Sequence, residues 1–340
     1  MKAWMVNSEH NVELADLGPQ AVTPSCVKLK MLESSLDTSE CSLYNAGGSR
    51  LPLILGRNGV GLVTETGEEV GGFKRGDRVY VRPVSSCGEC SHCRSGHKSD
   101  CEHSYTYGKT EDGVLRDFMV VPQSDLILLP PKVTPEEGVF IESVALAIAA
   151  LDKLKLEKGE HIVIMGATGV GLILAQAALY YQAVPILVDL RRDRLELAER
   201  LGIYYTINAV DTDPVKKIFT ITCGKMAETM AYCLLSNMPL QRAFECLSRS
   251  GRAVFAGLDD VKVNLTLDFM PLLSKGVSVD SVTGAEDNYL SAVNMLASRA
   301  VDVNPLISRR ISFSEAGDCL KEISEDVTKY ISLIVDIDKL

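Results

Sequence analysis

Four cysteines within fifteen residues, Cys87, Cys90, Cys93 and Cys101, constrain this chain more than any other feature. They are spaced C-x2-C-x2-C-x7-C, and the residues between them are small or polar, so the backbone can wrap tightly around an ion. Four thiolates close the tetrahedral sphere of Zn2+ and leave no position for a substrate, so a structural zinc lobe is expected. An iron–sulfur cluster is the rival. The long last spacing and the absence of Pro after Cys101 depart from the ferredoxin run. Disulfides are the bland alternative, and they call for an oxidising compartment. Residues 1–10 lack the apolar run of a secretory signal, and the other six cysteines, at 26, 41, 223, 233, 246 and 319, are scattered as free thiols would be. A cytoplasmic protein is therefore expected, with a lobe that scaffolds and does no chemistry.

The chain has 340 residues, enough for two domains. Its net charge is -10 with bases mixed among acids, which argues against nucleic acid as a partner. No 18 apolar residues occur without a charge, so no membrane span is expected. Short alternating segments at 27–31, 61–66 and 77–81, broken by Gly, Pro and acidic turns, predict a β-rich first domain carrying the lobe. Thr134 and Glu137 make a capping box with Pro135 at the first helical position. The helix they open is predicted to run to about Lys153, burying Val139, Ile141, Val144, Leu146 and Ile148. From there the period changes. Candidate strands at 161–165, 185–189, 204–207, 230–235, 252–256 and 277–282 alternate with helical segments at 170–181, 191–201 and 240–248. Apolar strands alternating with helices predict a doubly wound α/β fold around a parallel sheet.

The first of these strands leads into Gly166-Ala167-Thr168-Gly169-Val170-Gly171 and then a helix. In that setting a glycine-rich turn sets backbone N–H groups and a helix N-terminus against a pyrophosphate. The match to G-x-G-x-x-G is imperfect, since Thr168 holds the central position, and such a turn can also serve strand–helix packing alone. Asp189, 18 residues after Gly171, ends the second strand, where a carboxylate accepts from ribose hydroxyls and repels a 2'-phosphate. NAD(H) is thus favoured over NADP(H), although Arg191, Arg192 and Arg194 could instead cradle that phosphate. Gly166, Thr168, Gly169, Val170, Gly171, Asp189 and Arg194 are the candidate cofactor-binding residues.

The cysteine lobe ahead of a nucleotide-binding domain resembles the zinc-containing medium-chain dehydrogenase/reductase family of alcohol, polyol and threonine dehydrogenases. Gly76-Asp77-Arg78-Val79 is similar to the family's G-D-R-V turn, and Glu137-Gly138-Val139-Phe140-Ile141-Glu142 to the helix that carries an acidic metal ligand in the polyol branch. Residues 271–276, followed by Thr283-Gly284, resemble the segment that forms the dimer interface. The resemblance implies a GroES-like, β-rich catalytic domain over 1–147 and 283–340 and a Rossmann NAD(P)-binding domain over 148–282. It implies a small-molecule substrate, hydride transfer at a second, catalytic zinc in the cleft, and a homodimer or homotetramer.

Three positions depart from that pattern. Asp37 stands where the family has a Cys ligand, Arg57 where it has His, and Asn58 where it has Glu; Glu142 keeps the acidic ligand. Arginine stays protonated and offers no lone pair, so a catalytic Zn2+ is not expected. An ionic cluster of Arg57, Asp37 and Glu142 is expected in its place, either as a neutral filler or as part of the catalytic apparatus. Ser39 matches the family's proton-relay hydroxyl, with a local turn bond as its bland alternative. Tyr44 is a further candidate, and Ser42 replaces a His found in many relatives. The expected activity is NAD(P)-dependent hydride transfer between nicotinamide and a small carbonyl/alcohol, enone or iminium compound. A zinc-dependent polyol or alcohol dehydrogenase with a variant metal site, and a catalytically silent dinucleotide-binding protein, remain as alternatives.

Overall fold

The computed structural model describes residues 1–36, 51–96, 98–233, 240–258, 266–282 and 284–338. The chain forms two compact units, Met1–Glu142 with Val303–Leu340, and Ser143–Asp302. The division read from the sequence places everything after 282 in the first unit. In the structure helix Tyr289–Ala297 belongs to the second. A physical reason is visible at Gln176, whose side chain bonds both the carbonyl (3.2 Å) and the amide (2.8 Å) of Asp302.

The first unit is built on strand Cys26–Leu36, whose Val27, Leu29 and Met31 are fully buried in strict alternation. That period of two places every second side chain on the core face. Among the described residues its sheet has seven strands. Leu126–Leu128, Arg78–Val81, Gly59–Thr66, Cys26–Leu36, Ser332–Asp336 and Ile307–Ser312 lie in that order, with Phe118–Pro122 also paired to Cys26–Leu36. The last pair is parallel and the other pairs are antiparallel. Val63, Val79, Val81, Met119, Val121, Leu333 and Val335 fill the core between. Each such side chain contributes about 1.5–3 kcal/mol on burial. Lys2–Val6 pairs Val12–Asp16 and Leu53–Ile54 in a smaller sheet. Its Trp4 packs edge-on to Phe313 and donates Nε1–H to the Phe313 carbonyl at 2.6 Å. Val84–Ser85 and Tyr105–Thr106 pair antiparallel and form the neck of the cysteine lobe.

The second unit carries a six-stranded, all-parallel sheet among the described residues. Its order is Tyr205–Asn208, Val184–Asp189, His161–Met165, Ala227–Tyr232, Leu247–Phe255, Ser278–Ser281, which is third, second, first, fourth, fifth, sixth along the chain. That order is the doubly wound arrangement, with its switch point at His161–Met165. Two elements differ from the sequence expectation. The helix from Thr134 does not run unbroken: Pro135–Gly138 and Ile141–Leu154 are separate, with buried Val139 and Phe140 between them. Gly138 lets the short helix press directly on strand Gly59–Thr66, because a Cβ there would sit 2.6 Å from the Val60 side chain. The fourth strand lies at Ala227–Tyr232, and residues 234 and 235 of the expected strand fall outside the described residues.

Candidate active site and metal centre

The four lobe cysteines converge. Their sulfur atoms all lie within 4.8 Å of one another, with Sγ–Sγ distances of 3.5 Å (Cys101–Cys87), 3.9 Å (Cys87–Cys93) and 4.0 Å (Cys90–Cys101). Zn–S bonds of about 2.3 Å in a tetrahedron require S–S edges of about 3.8 Å. None of the four is in a disulfide. Backbone amides point at the sulfurs: Cys90 N–H at Cys87 (3.3 Å), Cys93 N–H at Cys90 (3.4 Å) and Cys87 N–H at Cys101 (3.3 Å). The Cys93 amide holds the Cys90 thiol down at about 6, and the Cys87 amide lowers Cys101. Burial pushes Cys93 up to about 12. The donor set suits a structural zinc, held by all four thiolates.

At the neck, the buried carboxylate of Asp125 accepts four hydroxyls. Ser85 (2.7 Å) and Ser124 (3.0 Å) donate to Oδ1, and Tyr105 (2.6 Å) and Tyr107 (2.7 Å) donate to Oδ2. Burial, aided by this carboxylate, raises both phenols. Sequence reasoning missed this cluster; two tyrosines spaced two apart on a strand were the available signal.

A second constellation forms where Leu53–Ile54 turns into Gly59–Thr66. Gly56 adopts a φ of 94°, and a Cβ there would lie 2.6 Å from the Leu115 amide, so only glycine fits this turn. The turn delivers Arg57 to Glu142, which sits in the first turn of helix Ile141–Leu154, where the helix dipole favours a carboxylate. Arg57 Nη2 donates to Oε1 at 2.6 Å, and its Nε to Oε1 and Oε2 at 3.0 and 3.1 Å. Asn58 Nδ2 donates to Glu142 Oε2 at 3.0 Å, and Tyr80 OH donates to Asn58 Oδ1 at 2.8 Å. The Asn58 carbonyl is pinned by Ser34 Oγ (2.9 Å) and the Ser35 amide (3.2 Å). Both oxygens of Glu142 thus receive N–H donors, and the guanidinium supplies charge but no lone pair. Asn58 and Tyr80 were not foreseen as parts of one network with Arg57. Asp37, Ser39 and Tyr44 lie outside the described residues.

The glycine-rich turn follows strand His161–Met165 and opens helix Gly169–Tyr180, with Thr168 as N-cap accepting from the Gly171 amide at 3.1 Å. Gly166 has a φ of 111°, and a Cβ on Gly171 would fall 1.9 Å from the Gly166 carbonyl. Gly169 and Val170 occupy the first turn of the helix, whose N–H groups have no partner within the helix and suit a phosphate. Asp189 and Arg194, both buried, clamp the Ala167 peptide. Asp189 Oδ2 accepts its N–H at 2.6 Å, and Arg194 Nη1 donates to its carbonyl at 3.2 Å. Asp189 Oδ1 accepts the Arg191 amide at 2.8 Å. The side chains of Arg191 and Arg192 are paired with Asp193 and Asp211, each at 2.7 Å.

Residues 23–131 match the family described as alcohol dehydrogenase GroES-like domain, and residues 169–298 the family described as zinc-binding dehydrogenase. An uncharacterised zinc-type alcohol dehydrogenase-like protein of Haemophilus influenzae is 31% identical over 98% of both chains. The chain belongs to the zinc-containing medium-chain dehydrogenase/reductase family. As a member of that family it is an oxidoreductase. Another relative, the sorbitol dehydrogenase of Bacillus subtilis, is 26% identical over 98% of this chain and 97% of its own. Among solved structures, the galactitol-1-phosphate dehydrogenase of Escherichia coli shares the fold with a TM-score of 0.89. It is 21% identical and covers 99% of this chain and 100% of that one. Among the described residues no helix is long and apolar enough to cross a membrane.

Proposed function

We propose that this family member is an NAD(H)-dependent oxidoreductase that works without a catalytic zinc and reduces a small, already electrophilic carbonyl, enone or iminium compound. The observation that carries this reading is the Glu142 carboxylate, saturated by Arg57 and Asn58 where the family resemblance implies a metal ligand. A metal there would need lone pairs that Arg57 does not have and that Glu142 has already committed. Asp37 completes the ionic cluster in this proposal.

A nicotinamide dinucleotide, with its pyrophosphate held at residues 166–171, would supply the hydride when bound. Arg57, oriented by Glu142, is proposed to polarise the substrate oxygen as negative charge develops there. Ser39 is proposed as the hydroxyl that passes a proton to that oxygen, and Tyr44 as its neighbour in the site. Oxidising an unactivated alcohol requires an alkoxide at neutral pH, which zinc normally stabilises. Reducing an electrophilic carbonyl asks less, because a hydrogen-bond donor suffices. NAD(H) is favoured because Asp189 ends the second strand of the parallel sheet, where a carboxylate accepts from ribose hydroxyls, and the nearby Arg191 and Arg192 are already paired with acids. We further place the protein in the cytoplasm as a homo-oligomer. The relatives' names, a zinc-type alcohol dehydrogenase-like protein and a sorbitol dehydrogenase, favour the zinc-dependent polyol or alcohol dehydrogenase alternative.

Metal analysis after dialysis decides between the two. The proposal expects about one zinc per chain, in the lobe. Two per chain, with the second lost in Glu142→Gln, would overturn it. NADH turnover with butanal, butane-2,3-dione, 2-cyclohexenone and 1-pyrroline, beside an NADH titration, tests the activity. Tight NADH binding with no turnover of any probe would point to the catalytically silent alternative.

A further inference from the structure

We propose that Tyr80 is a positioning residue for the Arg57–Glu142 pair, acting through Asn58; the inference rests on the metal-free role given to Arg57 above. The four groups form a chain from the core outward. Tyr80 is 0% exposed and Asn58 3%, while the side chains of Glu142 and Arg57 are 9% and 17% exposed. Only the outermost member is within reach of a substrate, so the inner members act on it or on nothing.

The logic lies in the amide of Asn58. A carboxamide has two nearly isosteric orientations that exchange its acceptor and its donors. Glu142 is an acceptor, so the productive orientation turns Nδ2 toward it, as observed at 3.0 Å. The opposite orientation would set Oδ1 against a carboxylate oxygen, two acceptors in contact. Tyr80 engages the same orientation from the other side, because its hydroxyl donates to Oδ1 at 2.8 Å. Tyr80 cannot drift. Its strand Arg78–Val81 is registered between Gly59–Thr66 (Val60 opposite Tyr80) and Leu126–Leu128 (Ile127 opposite Tyr80). The Asn58 backbone is held in turn by Ser34 and Ser35. One oxygen of Glu142 is therefore tethered to a rigid sheet. Because Arg57 meets the same carboxylate with two nitrogens, the plane of one group sets the plane of the other. Misplacing a charged group by even 1 Å costs a large factor in rate, and this chain of donors prevents that misplacement.

The test uses the full-length protein and reads solvent exchange of the Arg57 Nε–H by 15N–1H NMR, with Arg57→Lys assigning the signal. Tyr80→Phe is expected to speed that exchange about tenfold, the loss of one buried hydrogen bond. NADH affinity should stay unchanged. Turnover of butane-2,3-dione should fall in kcat at constant KM. A double variant, Tyr80→Phe with Asn58→Ala, is expected to exchange more slowly than the two single effects combined would give, because Tyr80 acts on the pair through Asn58; Asn58→Ser replaces the alanine should that variant not fold. Exchange unchanged in Tyr80→Phe, or effects that add in full, would overturn the positioning role. A second zinc per chain would instead overturn the metal-free reading of the site, so the two failures are distinguishable.

Discussion

A carboxylate has about four acceptor positions, and Asp189 has two of them engaged, by the amides of Ala167 and Arg191. The remaining two suffice for ribose hydroxyls, so the same side chain can shape the turn and receive the cofactor. Asp189→Asn tests both functions. It exchanges one acceptor for a donor facing the turn and removes the charge that repels a 2'-phosphate. NADH affinity should fall about tenfold, as expected for losing a hydrogen bond to a charged group, and the preference over NADPH should narrow. Fluorescence titration with both cofactors checks this, and a fall in NADH affinity with the preference intact would mean that Asp189 only shapes the turn. At this scale the sequence is informative where chemistry depends on residue type alone. Four clustered cysteines, an arginine in a ligand position and an acid at a strand end are visible in it. The bond from Tyr80 to Asn58 is not, because strand register joins residues 22 positions apart, and nothing local in either segment announces the pairing.

The neck of the cysteine lobe shows the same limit at the scale of elements. Strands Val84–Ser85 and Tyr105–Thr106 are only two residues long, too short to be stable by pairing alone. Asp125 compensates by gathering a hydroxyl from each of them, together with those of Ser124 and Tyr107. Asp125→Ala would leave those hydroxyls facing a void, at about 1–3 kcal/mol for each one left buried and unpaired. Thermal denaturation should register the loss. Zinc held by the lobe should also become about tenfold easier to remove with a chelator, the low end of what outer partners of a metal site contribute. A destabilised protein with unchanged zinc affinity would confine Asp125 to the stability of the first unit. Helix boundaries were legible where caps were strong. Thr134 with Glu137 marks a start that the structure keeps, but the close approach of Gly138 to Val60 joins distant segments, and no local signal encodes it. Helices Pro214–Ile221 and Phe269–Lys275 carried signals that the periodicity reading passed over. These are Asp213 as N-cap before a proline at the first position, and Asp268 as N-cap with a left-handed Gly276 at the end.

For the molecule as a whole, the informative surface is the last strand of the parallel sheet. All four residues of Ser278–Ser281 are exposed, and no further strand is paired to them among the described residues. An open edge of this kind is a template for pairing unless it is charged or covered. Its one acid, Asp280, is matched by Lys153 at 3.5 Å. Beside the edge, Val279 is 46% exposed, and Phe269, Met270 and Leu273 of the preceding helix are 63–68% exposed. A twofold axis beside the strand would continue the sheet antiparallel into a second copy and bury the apolar set twice over. At about 1.5–3 kcal/mol for each large side chain fully buried, that is ample to hold a dimer. The protein is therefore expected to sediment as a dimer or a higher even assembly at micromolar concentration. Val279→Lys with Leu273→Glu should yield a monomer with an unchanged circular dichroism spectrum. Each chain carries a net charge of -10, so two copies repel. Added salt screens that repulsion beyond about 10 Å at 0.1 M, and the dimer should tighten as salt rises. An association held mainly by ion pairs would loosen instead, and a wild-type protein that stays monomeric in both low and high salt would leave the exposed edge without the partner argued for here.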